Sequence, residues 1–128
     1  MKISKKAQYG LRAMVHMAKK YKDNKVVSLK EMAEEENLPL DFLEKIVLDL
    51  QKAGLLKAKK GAFGGYFLAK KPKNISAGEI VEILEDIEPV ECRGCQMARI
   101  CSTKSVWDDV RDSVNDALYS KTLLDLIK

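Results

Sequence analysis

Histidine and tryptophan occur once each in the 128 residues of the chain and proline three times, and cysteine is confined to the ten positions from 92 to 101. Each scarcity narrows the function. A catalytic thiolate needs a base close by; His16, the one histidine, stands 76 positions before the first cysteine, so no enzyme constellation is visible. No apolar run approaches the ~20 residues of a membrane span, and no membrane partner is expected. The opening residues, MKISKKAQYG, hold no secretory apolar block, which makes the cytoplasm the expected compartment. Three cysteines is an odd number, and that suits a reducing compartment better than a secreted disulfide scaffold.

Hydrophobic side chains are not scarce. They make up 46% of the chain and charged ones 33%, enough for a core and too apolar for a disordered chain. The net charge of +4 is unevenly placed: residues 1–73 hold 17 basic against 8 acidic side chains, and residues 74–128 hold 6 against 11. A basic front suits a polyanionic partner, because lysines that neutralise phosphates release condensed counterions. A merely solvated lysine-rich surface gives the same count.

Helical signals dominate the pass along the chain. Ala7, Leu11, Met14, Ala18 and Tyr21 recur every three or four residues and mark a first helix. Ser28 and Glu31 stand at capping-box spacing before a helix of about two turns with Leu29, Met32 and Ala33 on its buried face. A third helix takes Pro39 into its first turn, carries Phe42, Leu43, Ile46, Val47 and Leu50 along one side, and stops at Gly54. LLKAKKGAFGGYFLAKKP then gives two short β-capable runs around a glycine-rich turn, a hairpin closed by Pro72. Ser76 and Glu79 repeat the capping-box spacing ahead of a fourth helix with Ile80, Ile83, Leu84 and Ile87; Val106, Trp107, Val110, Val114, Ala117 and Leu118 line a long amphipathic helix; Thr122 starts a last turn.

Helix, short turn, helix and basic hairpin, in that order, describe a winged helix-turn-helix whose third helix enters the major groove. The predicted fold is mainly α with a small β-hairpin wing, followed by a C-terminal amphipathic helix. With its apolar face buried, the third helix leaves Leu40, Asp41, Glu44 and Lys45 for base edges and backbone. Glu44 is the candidate specificity residue, since a carboxylate accepts from cytosine N4 while phosphates repel it; a capping role beside Asp41 is the competing reading. Lys57, Lys59 and Lys60 precede the wing turn, and Lys70 and Lys71 follow it. Gly61, Gly64 and Gly65 suit close approach to a groove, although hairpin glycines are turn chemistry in most proteins, and Phe63 either wedges beside a sugar or stacks on those glycines.

The stretches MKISKKAQYGLRAM and LEKIVLDLQKAGLLKAKKGAFGGYFLAKKPKNISAGEIVEILEDIEP resemble the Rrf-two family of bacterial transcription regulators, most specifically in L-x-K-A-G-L-L, G-G-Y-x-L and I-S-A-G-E-I. The resemblance implies homodimers on near-palindromic operators in double-stranded DNA, with residues 105–120 as the dimerisation helix. It also implies backbone contacts from Ser4, Lys6 and Tyr9 and an operator-tuning role for Glu44; Lys2, Ser28 and Tyr66 complete the candidate DNA contacts. Lys60 stands where relatives carry a wing arginine, and a lysine is a point charge rather than a bidentate donor. On this frame residues 1–73 form the DNA-binding domain, 74–104 a linking helix with the cysteine stretch, and 105–128 the dimerisation helix and C-terminal turn.

Cys92, Cys95 and Cys101 sit where IscR-like members of that family hold an iron–sulfur cluster, and the resemblance implies the same here, a 2Fe–2S cluster ahead of a 4Fe–4S one. Thiolates are the soft ligands such clusters require, and Gly94 permits a tight chain reversal between two of them. The fourth ligand is not identified. Lys104 occupies the place of a family histidine, and Gln8 and Arg12 occupy the first-helix positions from which other members draw a ligand. His16 reads as a surface or packing residue, and Glu88, Glu91 and Asp108 are the nearby carboxylates. Thiol redox sensing through Cys92 and Cys95, structural zinc, and a metal-free regulator that docks a metabolic enzyme, as in CymR-type members, stay open beside the cluster.

Overall fold

The computed structural model describes residues 2–23, 26–86 and 102–128. Helix α1 spans Lys5–Tyr21, α2 Leu29–Glu36, α3 Leu40–Lys52, strand β1 Leu56–Lys59, β2 Gly65–Leu68, α4 Ala77–Leu84, α5 Lys104–Tyr119 and α6 Leu123–Leu126, with a 3-10 turn at Pro72–Asn74. No described helix is long and apolar enough to cross a membrane.

Helices α1, α2, α4 and α6 begin where a side chain accepts from one of their first N–H groups. Ser4 Oγ accepts from Ala7 N–H at the head of α1, and Ser76 and Glu79 form the full reciprocal box at the head of α4. Thr122 and Asp125 form another at α6. There the backbone N–H and hydroxyl of Thr122 hold the Asp125 carboxyl below the usual carboxylate range. At α2 one half of the expected box is present: Glu31 N–H donates to Ser28 Oγ at 3.4 Å. Pro39 stands one place earlier than expected, as the N-cap of α3 with extended backbone, and Leu43 N–H opens the helix by donating to its carbonyl. The turn between α2 and α3 is short because Asn37 takes the left-handed conformation, φ +53, which lets Leu38 N–H return to the Ala33 carbonyl.

The core gathers Met14 and Met17 of α1, Met32 of α2, Leu43, Ile46, Val47 and Leu50 of α3, Leu56 and Leu68 of the hairpin, Ile80, Val81 and Leu84 of α4, and Leu123 of α6. Helix α1 packs against α3 and α4. Gly10 makes that approach possible, since a Cβ there would overlap the Leu84 side chain. Phe42, expected in the buried stripe of α3, is half-buried and meets the ring of Tyr9 edge-on at 5.6 Å; on α4, Val81 is fully buried and Ile83 only partly. Ile87 lies outside the described residues. The last turn is stitched to the entry of α4: Ala77 N–H donates to the Lys121 carbonyl at 2.8 Å and Leu123 N–H to the Ile75 carbonyl at 2.9 Å.

Strands β1 and β2 pair antiparallel, with Leu56 opposite Leu68 and Lys59 opposite Gly65. Val27, just before the α2 cap, adds a single bridge to the outer side of β2. Its N–H donates to the Tyr66 carbonyl at 2.8 Å, and Tyr66 N–H returns to its carbonyl at 2.9 Å. This ties the hairpin to the loop that launches α2.

Helix α5 is different in kind. None of its 16 residues is buried. The helix touches α4, where the ring of Tyr119 lies over Gly78 and its hydroxyl donates to the Glu82 carboxylate.

Candidate nucleic-acid interface

Helix α3 sorts its residues by face. Leu43, Ile46, Val47 and Leu50 are buried, whereas Leu40, Asp41, Glu44, Lys45 and Leu48 are exposed. No side chain caps the N-terminus of α3, and the side chains of Asp41 and Glu44 make no hydrogen bond or ion pair with another described residue. The capping alternative for Glu44 therefore has no bond to support it. Leu40 is 42% exposed and sits one position after the cap, an apolar surface beside the two carboxylates. Such a helix end can offer a methyl-contacting leucine, acceptors for cytosine N4 and one lysine to a major groove.

The wing supplies positive charge. Lys57, Lys59 and Lys60 are all exposed. Gly61 takes φ +113, a conformation that glycine adopts without steric cost, and a Cβ at Gly64 would overlap the Lys59 carbonyl. Gly65 is required for a different reason: a Cβ there would overlap the carbonyl of Val27 and break the bridge that anchors the hairpin. Phe63 is 92% exposed, so it does not stack on its glycines. Tyr66 is half-buried against the core and contributes its backbone to the bridge.

The amino-terminal candidates are engaged within the chain. Ser4 caps α1 through its hydroxyl and donates its own N–H to Glu85 Oε2 at 2.9 Å. Lys6 Nζ lies 2.6 Å from Asp49 Oδ2 of α3, and Tyr9 braces Phe42. Lys2 is exposed, and Ser28 is the α2 cap. The sequence reading missed Val27; the β-branched pair Val26–Val27 ahead of a capping serine was the available signal.

His16 is a packing residue. It is 6% exposed, with Nδ1 3.0 Å from Glu36 Oε2 and Nε2 3.4 Å from Glu35 Oε2. Arg12 donates to the Glu36 carbonyl, Gln8 Nε2 donates to the Ile3 carbonyl at 2.7 Å, and Lys104 Nζ lies 2.8 Å from Asp108. The hydrogen bond from Lys104 holds the Asp108 carboxyl below its usual range. Cys92, Cys95 and Cys101, with Gly94, Glu88 and Glu91, lie outside the described residues. Among the described residues no group of three or more His, Cys, Asp and Glu side chains is disposed to hold a metal ion.

A model of the Rrf2 family, described as an iron-dependent transcriptional regulator, matches residues 3–128. The chain is 42% identical to the transcriptional regulator CymR of Bacillus subtilis over 127 residues, 98% of this chain and 89% of that one. The solved structure of that protein, described as the global cysteine regulator, superposes with a TM-score of 0.82 at 41% identity, covering 99% of this chain and 96% of that one. IscR of T. potens superposes with a TM-score of 0.83 at 38% identity, covering 99% and 86%. An oxidised form of CymR from Staphylococcus aureus gives 0.80 at 40% identity, covering 100% and 97%.

Proposed function

Because the chain belongs to the Rrf2 family of DNA-binding transcription regulators, we propose that it grips a near-palindromic operator as a homodimer and that Cys92, Cys95 and Cys101 make that grip respond to iron–sulfur or redox status in the cytoplasm. The observation that carries the DNA part is the pairing of two exposed features on one braced body: an α3 first turn whose polar side chains have no partner among the described residues, and a lysine-bearing hairpin tied to α2 through Val27. Glu44 reads a cytosine edge, with Asp41 and Leu40 beside it. Lys45, Lys59 and Lys60 meet phosphates, while Gly61, Gly64 and Gly65 let the wing backbone come close. Lys2, Ser4, Lys6, Tyr9, Ser28 and Tyr66 add backbone contacts or hold the elements that make them; for Lys6 this means exchanging Asp49 for a phosphate. Helix α5, which buries none of its residues, is the surface on which two copies meet.

For the cysteines, three thiolates are a fitting soft donor set for an iron–sulfur cluster. The family's iron-dependent description and the similarity to IscR support the same reading. Such a cluster, 2Fe–2S before 4Fe–4S, would supply a redox-active charge held by the stretch that precedes α5 in sequence. Its fourth ligand does not come readily from Gln8, Arg12, His16 or Lys104, each of which is bonded to another described residue. A second reading is a metal-free regulator controlled by a Cys92–Cys95 disulfide, which the similarity to the oxidised form of CymR supports, or by docking a metabolic enzyme.

Anaerobic purification with iron and sulfide analysis and visible absorbance separates the two. About two irons and two sulfides per chain, lost in the Cys92→Ser variant, supports the cluster. A colourless protein whose operator binding changes reversibly with thiol reductant supports the thiol switch, and a chain that retards no duplex DNA in dilute buffer overturns both.

A further inference from the structure

Among the described large apolar side chains exposed to solvent, Phe63 stands apart at 92%, against 53% for Val106, the next most exposed. Its backbone is nevertheless fixed. Gly64 N–H donates to the Gly61 carbonyl at 3.0 Å, closing a turn with Ala62 and Phe63 as its central residues. Below the turn, four register pairs zip the two strands together, and the Val27–Tyr66 bridge holds the hairpin to the body. The benzyl ring is thus carried into water on a braced arm, without a place in the core, and the exposed Lys57, Lys59 and Lys60 stand along the same arm.

That combination has a specific chemical fit. A site for an apolar protein partner would surround the ring with further apolar surface; here its sequence neighbours are Ala62 and Gly64, with lysines beyond. Lysines draw the arm to phosphates, and between two phosphate rails the apolar material on offer is the faces of stacked bases. A ring with only two side-chain torsions loses little entropy on insertion.

We infer that Phe63 is an apolar wedge that enters the minor groove and partly unstacks one base step in each half-site, bending the operator toward the major groove. The inference rests on the DNA-binding reading above and adds to it a source of sequence preference that no polar side chain reads. Pyrimidine–purine steps, TA and CA/TG, unstack most easily, so one such step is favoured under each wing although nothing hydrogen-bonds to it.

The test uses the full-length chain, purified anaerobically, and a duplex it selects from a random-sequence library. 2-Aminopurine placed in turn along the region under each wing reports unstacking, and fluorescence energy transfer between the duplex ends reports bending. With the wild-type chain we expect a several-fold rise in fluorescence at one step per half-site and a bent duplex. Phe63→Leu should retain both in weaker form. Phe63→Ala should lose both while still binding, about tenfold more weakly, with its salt slope unchanged because no phosphate contact is removed. A wild-type complex that leaves the duplex straight and stacked, or a Phe63→Ala complex indistinguishable from wild type, overturns the wedge while leaving the DNA-binding reading intact. Failure of the wild-type chain to select any duplex overturns that reading first, and the wedge with it.

Discussion

Glu44 and Lys60 carry opposite charges, and if both face DNA as proposed, their substitutions should fail in different ways. The Glu44 carboxylate is exposed and bonded to no other described residue; in the proposed complex it would cost affinity near phosphates and repay it only where a base edge donates to it. Glu44→Gln replaces one acceptor oxygen with a donor amide: we expect binding to the selected operator to fall by about 1–3 kcal/mol while a duplex altered at the contacted base gains. Lys60→Ala should weaken all duplexes together and reduce the salt slope by ~0.9, the signature of one lost phosphate contact. Repeating the binding titration at four salt concentrations on both duplexes separates the two. Identical behaviour of the variants would remove Glu44 from base readout. At this scale the sequence was legible for local chemistry such as the Ser76–Glu79 box and the exposed wing lysines, although Ser4, the cap of α1, was read only as a DNA contact. It was not legible where a partner lies far along the chain: Lys6 meets Asp49, and His16 meets Glu35 and Glu36, through helix packing that no short-range pattern encodes.

The hairpin is the element whose stability depends most on a single glycine. Val27 gives β2 a second, one-residue neighbour, and Gly65 leaves the space that the Val27 carbonyl occupies. Gly65→Ala should push the two chains apart, lose both bridge hydrogen bonds and destabilise the protein by about 1–3 kcal/mol, since each bond contributes roughly 1 kcal/mol. Amide exchange at Val27 and Tyr66 should rise with it. Ala62→Gly, at the open tip, is the control and should leave exchange at both sites as in wild type; unchanged protection in Gly65→Ala would show that the bridge does not hold the wing. The hairpin, the order of helices and the caps at Ser28, Ser76 and Thr122 could be read from the chain because apolar periodicity and turn residues mark them. The bridge could not, because one residue has no periodicity. Nor could the burial of Leu123 in a core otherwise built mostly from earlier residues, which depends on the α6 turn folding back beside Ile75.

For the whole molecule the decisive feature is a 16-residue helix with an apolar stripe and no buried residue. Val106 is 53% exposed and Trp107 38%, with Val110, Val114 and Leu118 only partly covered along the same stripe. Of these only Leu118 packs against the core that supports α3 and the wing, so in the proposed dimer the folding of one copy does not depend on Val106, Trp107, Val110 or Val114. Trp107→Lys should therefore leave the helical circular dichroism of the chain intact while halving its sedimenting mass. Its melting temperature should lose the dependence on protein concentration expected of a dimer. DNA binding should then fall selectively. On a duplex with two half-sites about 34 Å apart the loss should be 100-fold or more, because the second half-site is no longer engaged at high effective concentration, whereas a single half-site should be bound as by wild type. If Trp107→Lys sediments like the wild-type chain, α5 is not where copies meet, and the proposed two-fold match between protein and operator would have to be built from another surface or abandoned.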